Sequence, residues 1–440
     1  MRRRTWLRRL AGLAGMAGMA GAAGSTGSTG TTGTTGASGS AESSASTGSA
    51  GSTGSAGSAT TTGPAAAAPR AEGAPGPAGA VQRGRPLGFP GDHGAHPWAR
   101  IEWWYLTGWL GAANQPRQGF QLTFFRSRTG LAAGNPSRFA PRQLLFAHAA
   151  VTDLEAGRHH HAQRIARWSG AADAVLARAS VRDAAVQIGA WSLVRDVAVA
   201  ARDATGSAGR HDGEPVASAS SPSRYAIAID ADDFGFALEA RRSQPLLLQG
   251  EAGFSRKGPQ ERLASHYYSE PQLAVQGRLT LAGRAQAVAG RAWLDHEWSD
   301  EILHPEAVGW DWLGINLLDG GALTAFRLRR ADGSTLWSGG SLRAAGGATR
   351  AFTETELQFS PGRLWTSPAS GARYPVQWVL RSPVGRFELR ALLDAQELDS
   401  RASTGTVYWE GLSELLDPAG RRVGLGYLEM TGYAGVLRLN

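Results

Sequence analysis

The chain has 440 residues, a formal net charge of +8, 15 tryptophans and no cysteine. The missing thiols exclude disulfides, thiolate metal centres, a cysteine nucleophile and a cysteine-linked lipid anchor. Half of the net charge sits in the first 80 residues, in Arg2, Arg3, Arg4, Arg8, Arg9 and Arg70 against Glu42 and Glu72. The remainder is spread thinly, whereas nucleic-acid affinity needs a concentrated basic patch, so no nucleic-acid partner is expected. Lys257 is the lone lysine among the cations, a bias read first as genomic composition.

Residues 2–9 are Arg-Arg-Arg-Thr-Trp-Leu-Arg-Arg, and a weakly apolar Leu/Ala/Gly/Met run follows. Arg3-Arg4-Thr5-Trp6-Leu7 resembles a twin-arginine export signal. The run is too short and too glycine-rich to anchor in a bilayer. Residues 1–24 are therefore expected to be an export signal, sending the protein to the periplasm or the cell exterior. The alternative is a basic tail with a chance resemblance. Residues 25–84 are Gly/Ser/Thr/Ala repeats and then an Ala/Pro/Gly stretch. They carry too little apolar surface to offset ordering entropy and are expected to form a flexible linker.

Beyond residue 85 the apolar pattern has period two. In Glu102-Trp103-Trp104-Tyr105-Leu106-Thr107-Gly108-Trp109-Leu110, one face takes Trp103, Tyr105, Thr107 and Trp109. Strand-like runs recur at 119–126, 145–153, 225–230, 234–239, 277–281, 308–318, 322–329, 377–380, 387–393, 406–412 and 423–431. Asp319-Gly320 and Asp332-Gly333 are hairpin-turn signals. Many short strands without a convincing long helix indicate an all-β fold of antiparallel barrels or sandwiches. An internal echo suggests two similar halves. Asp92-His93, Trp103-Trp104-Tyr105-Leu106 and Gly119–Arg126 repeat in order as Asp295-His296, Trp310-Asp311-Trp312-Leu313 and Gly321–Arg327. The cluster of Arg, Lys, Gly and Pro near 256–265 marks the expected boundary, giving halves 85–262 and 263–440.

The densest chemistry lies in 291–318, where Asp295, His296 and Glu297 are adjacent among Trp293, Trp298, Trp310 and Trp312. In a strand, Trp293, Asp295 and Glu297 share one face and Leu294, His296 and Trp298 the other. Ionisable groups walled by indoles suggest a small-molecule pocket. The competing reading is that Asp-His-Glu only satisfies buried donors and that the tryptophans are core. Asp92-His93-Gly94-Ala95-His96 is read as a loop at the barrel mouth, because no companion motif completes a zinc set. His159-His160-His161 is expected in a solvated turn. Ser265 and Ser299 lack a nucleophile elbow, and no glycine-rich phosphate loop is present.

Several stretches resemble the AttH-like family, relatives of carotenoid 1,2-hydratase. They are Phe89–Pro97, Glu102–Gly108, Ser265-His266-Tyr267-Tyr268-Ser269, Ala292–Ser299, Gly309-Trp310-Asp311-Trp312, Tyr408-Trp409-Glu410-Gly411 and Gly426–Tyr433. The resemblance implies two lipocalin-like antiparallel barrels with an apolar ligand between or inside them. It also implies either a carrier of a lipid or isoprenoid, accessory to an envelope transporter of ABC type, or a cofactor-free hydratase or cyclase acting on an isoprenoid alkene. Such hydration needs a carboxylic acid kept protonated by burial, and aromatic faces to hold a carbocation. Asp295 is the expected acid, Glu297 its partner or base, and Asp311 the alternate acid. Trp103, Trp104, Tyr105, Tyr267, Tyr268, Trp293, His296, Trp298, Trp310, Trp312 and Glu410 are the expected ligand-binding residues, with Asp92, His93 and His96 in the mouth loop. No cofactor and no metal are expected.

Overall fold

The computed structural model describes residues 80–131, 134–135, 137, 139–196, 223–301 and 303–436. The expected signal and nearly all of the expected linker lie outside them. The described chain is antiparallel β-structure throughout, with one short 3-10 turn at Gly91–His93. None of its helices is long and apolar enough to cross a membrane.

The first sheet opens with a meander of Ile101–Ala112, Gln115–Arg128, Gln143–Asp153 and Arg158–Trp168. On its other edge, Ile101–Ala112 pairs with Arg284–Glu301, which pairs with Ala264–Leu281. The sheet continues through Phe234–Arg241, Arg224–Asp230, Trp191–Asp196 and Ala185–Ile188 to Ala177–Ala179. That last strand comes back into contact with Arg158–Trp168, so the sheet nearly closes into a barrel. The second sheet repeats the plan. Gly309–Leu317, Ala322–Arg329, Thr335–Arg343 and Thr349–Phe352 form its meander. Gly309–Leu317 pairs backwards with Arg422–Met430, which pairs with Val407–Leu416. Thus the first strand of each half hydrogen-bonds to a late strand of the same half.

This topology places the exchange between halves after Glu301, not at the expected 262–263. The hairpin of Ala264–Leu281 and Arg284–Glu301 belongs to the first sheet. A charged, glycine-bearing turn at 256–263 looks like a linker in sequence, yet it only reverses the chain beside its own sheet. The internal echo is accordingly real for the aromatic hairpins and accidental for the Asp-His pairs. Asp92-His93 lies in the 3-10 turn, whereas Asp295-His296 is mid-strand. The three histidines expected in a turn also lie in a strand, Arg158–Trp168, with the His159 Nδ1 2.9 Å from the Thr152 hydroxyl.

Each half has its own core. Leu106, Leu110, Phe120, Leu122, Trp191, Phe236 and Leu294 fill the first barrel. Leu313, Ile315, Tyr374, Trp378, Leu389 and Trp409 pack inside the second half. The opposite faces of the same strands meet in a third cluster that includes Tyr105, Trp109, Trp293, Trp312, Phe326 and Tyr427. Strand alternation thus gives the strands where the sheets meet, such as Ile101–Ala112, Gly309–Leu317 and Val407–Leu416, two buried faces, one inward and one toward the other sheet.

The seams that join first and late strands have points with no room for side chains. A Cβ on Gly290 would lie 1.9 Å from the Trp109 carbonyl oxygen, and one on Gly426 would lie 1.9 Å from that of Gly314. Gly290→Ala is expected to lower stability by about 3 kcal/mol, as overpacking of a rigid backbone contact does. Guanidinium unfolding followed by tryptophan fluorescence checks this; an unchanged midpoint would mean the seam is slack.

Candidate functional site

Alternation sorts the acid-rich stretch as the sequence predicts. Leu294, His296 and Trp298 turn toward the inside of the first barrel, while Trp293, Asp295 and Glu297 turn toward the second sheet. Cross-strand register then builds rows. Tyr267, Glu297, Trp103 and Phe125 are successive neighbours, and so are Ser269, Asp295, Tyr105 and Thr123. The facing row on the second sheet is Phe326, Trp312, Glu429 and Glu410. Between these rows lies a cavity with about 80 Å³ of interior room, or about 720 Å³ when all open space out to its mouth is counted, walled by Trp103, Phe125, Trp310, Trp312, Phe326 and Tyr408.

The cavity contains four carboxyl groups and one amine: Asp295, Glu297, Glu410, Glu429 and Lys257. Asp295 is fully tied. Its Oδ2 accepts from the Tyr267 hydroxyl at 2.7 Å, and its Oδ1 accepts from Ser269 Oγ at 2.5 Å and Trp293 Nε1 at 2.6 Å. Burial pushes it up to about 7, against the pull of those three donors, and neighbouring Glu297 adds to the rise. Glu297 accepts from Ser265 Oγ and pairs with Lys257 Nζ at 2.9 Å. Lys257 also donates to Ser255 Oγ at 3.1 Å and sits over the rings of Phe326 and Tyr267.

Glu410 and Glu429 are directly opposed across an antiparallel pair, an arrangement that disfavours two charges. Burial, and then the charge of Glu429, hold Glu410 well above the usual carboxylate range. Burial pushes Glu429 up to about 8, opposed by a hydrogen bond from Trp310 and aided by the charges of Asp295 and Glu297. Glu410 Oε1 and the Tyr105 hydroxyl are buried and make no hydrogen bond of good geometry, but they face each other across the cavity lining, and Tyr105 and Tyr408 lie close enough to temper the rise of Glu410.

Not every expected site residue reaches this cavity. Trp103, Tyr105, Asp295, Glu297, Trp310, Trp312 and Glu410 line it. Tyr267 and Trp293 stand behind it as donors to Asp295. Asp311, the alternate acid, points the other way. It is held by Arg327 at 2.7 Å, Arg329 at 3.1 Å and the Tyr433 hydroxyl at 2.9 Å, so its carboxyl is consumed inside the second half. Trp104, Tyr268, His296 and Trp298 lie on the far face of the first sheet, where Trp104 stacks on His296 with ring centres 4.7 Å apart.

There they meet the 88–96 loop, which folds inward rather than standing open at a mouth. Asp92, His93 and His96 are all buried, and Ala95 belongs to the first core. His96 Nδ1 and His296 Nε2 lie 2.7 and 3.0 Å from Glu102 Oε1, and His96 Nε2 lies 2.9 Å from Asp92 Oδ1. The spacing of His96, Glu102 and His296 would suit a metal ion. However, Arg126 Nε donates to Glu102 Oε2 at 2.6 Å, and Arg126 also binds the His96 and Ala99 carbonyls. A guanidinium therefore already supplies the positive charge, and the cluster reads as a satisfied structural network. Burial disfavours charge on Glu102, but Arg126 and His96 outweigh it and hold its carboxyl well below the ordinary range.

Sequence reasoning missed Glu429, Lys257, Tyr408, Phe326, Thr123 and Phe125. Glu429 has no signal of its own in the sequence; only its pairing with Trp312 and Glu410 discloses it. Lys257 was discounted as composition.

The family model for AttH-like proteins matches residues 80–433. The chain belongs to the AttH-like family. An AttH candidate from Nitrosomonas europaea, solved by crystallography, is 44% identical with a TM-score of 0.69, over 80% of this chain and 99% of that one. Kievitone hydratase from Nectria haematococca shares the fold at 15% identity and a TM-score of 0.53, over 80% of this chain and 94% of that one. No curated protein matches this AttH-like chain in sequence.

Asp295 binds its proton more tightly folded than unfolded. Its contribution to stability therefore falls as pH rises from about 4, and levels off above about 7. Buried His148, held down to about 3, contributes the opposite slope between about 3 and 6.5. The signature is thus a difference between proteins. Asp295→Asn is expected to gain stability relative to the wild type between pH 4 and pH 8, by on the order of 4 kcal/mol. Parallel unfolding profiles for the two proteins would show that Asp295 titrates normally.

Proposed function

We propose that this AttH-like protein takes an apolar chain of lipid or isoprenoid type into the cavity between its sheets and hydrates one of its alkenes without a cofactor. The observation that carries this reading is Glu410: a carboxyl group whose hold on its proton burial raises well above the ordinary range, in the lining of an aromatic-walled cavity. A cavity that only stored an apolar molecule would gain nothing from four buried carboxyls, each of which costs desolvation.

Glu410 gives its proton to the less substituted alkene carbon, leaving a tertiary cation. The faces of Trp103, Trp310 and Trp312 stabilise that cation through their quadrupoles. Water then bonds to the cationic carbon, and its surplus proton passes to Asp295, which near pH 7 is available as carboxylate. Glu429 keeps Glu410 protonated by opposing it across the strand pair. The two acids thus sit in environments that separate their roles. The hydratase named among the structural relatives supports water addition on this fold.

A second reading, a periplasmic carrier serving an envelope transporter, is favoured by Arg3-Arg4-Thr5-Trp6-Leu7. The two readings part in one experiment. The purified protein is incubated with an acyclic carotenoid in water enriched in heavy oxygen, and products are read by mass spectrometry. Label incorporation that falls by about 10²–10⁴-fold in Glu410→Gln supports hydration. Retention of the carotenoid unchanged by both proteins supports the carrier, and absence of binding by either rejects both. Export is tested separately: Arg3→Lys with Arg4→Lys is expected to hold the protein in the cytoplasm, seen by cell fractionation.

A further inference from the structure

Every Lys or Arg residue in this chain but one is arginine, and the exception is Lys257. Its position is not that of a stray surface cation. It is 7% exposed, lines the cavity between the sheets, and rests on the faces of Phe326 and Tyr267 at 4.2 and 4.7 Å. Arginine would serve as well or better for an ion pair and for stacking on rings. What lysine alone offers is a compact primary amine able to act as a nucleophile.

The surroundings complete that chemistry. Glu297 Oε1, 2.9 Å from Nζ, is placed to take a proton from the amine. Asp295 lines the same cavity and shares its strand face.

We propose that Lys257 forms a reversible imine with an apolar aldehyde bound in this cavity. The idea rests on the reading that the cavity takes apolar molecules, but not on hydration. The Lys257 ammonium gives one proton to Glu297, the freed nitrogen pair bonds to the carbonyl carbon, and a second proton passes from that nitrogen to the carbonyl oxygen. The resulting carbinolamine loses its hydroxyl as water, protonated by Asp295, as the nitrogen pair forms the C=N bond. Amine and aldehyde thus give imine and one water, with no oxidant or reductant consumed.

Because Lys257 is the only lysine, the test reads one side chain. The full-length protein is mixed with dodecanal and sodium cyanoborohydride at pH 7, digested and mapped by mass spectrometry. Expected is a reduced dodecyl adduct on the Lys257 peptide, formed at least about tenfold faster than on free N-acetyl-lysine, as a positioned amine should. Excess dodecanol should suppress it, and Lys257→Arg should show none. Should that variant fail to fold, protection by dodecanol in the wild type still decides the matter. Quenching of tryptophan fluorescence by dodecanol without a Lys257 adduct, or with reaction only at the α-amine, overturns the imine while leaving the cavity reading intact. No dodecanol binding and no adduct overturns both.

Discussion

The antiparallel pairing of Ile101–Ala112 with Arg284–Glu301 is the contact on which the site depends. It brings together residues nearly two hundred positions apart and fixes their register to the single residue. Since a one-residue slip would exchange the faces of a strand, this register alone decides that Asp295 and Glu297 look toward the second sheet while His296 looks inward. Gly290 allows the two backbones to approach there. The buried network of Glu102, Arg126, His96 and His296 on the inward face makes any other register costly, because a slip would strand charges without partners. One side of the seam thus holds the other in place.

Two kinds of buried acid result, and their difference is instructive. Glu102 and Asp311 each pair with an arginine and act as links in the structure. Glu410, Glu429 and Asp295 have no cation beside them, and burial drives their affinity for protons upward. Among these five acids, a guanidinium in direct contact marks the structural pair. Asp311 and Glu410 are both buried, yet only the latter lines the cavity.

Much of this was legible in the residues. Period-two alternation in 101–112 and 292–299 gave the faces of both strands, and the adjacent tryptophans and acids marked the correct stretch. The ordered motifs gave the family. What the linear pattern lacked was pairing. Without knowing that 264–301 joins the first sheet, the boundary was set too early. Asp311, flanked by two cavity tryptophans, was credited with their direction although alternation turns it away. Glu429 carries no local signal, since it matters only through the strand opposite. His159 to His161 misled because a polar strand on a barrel exterior has the composition of a turn.

The cavity lies outside both cores, on surfaces the two halves turn toward one another. Neither interior contributes a side chain to its chemistry, apart from the backbone that carries both faces. Outward-pointing groups at a few register positions can therefore be exchanged, and the chemistry of the cavity altered, while the packing that lets each half fold stays as it was.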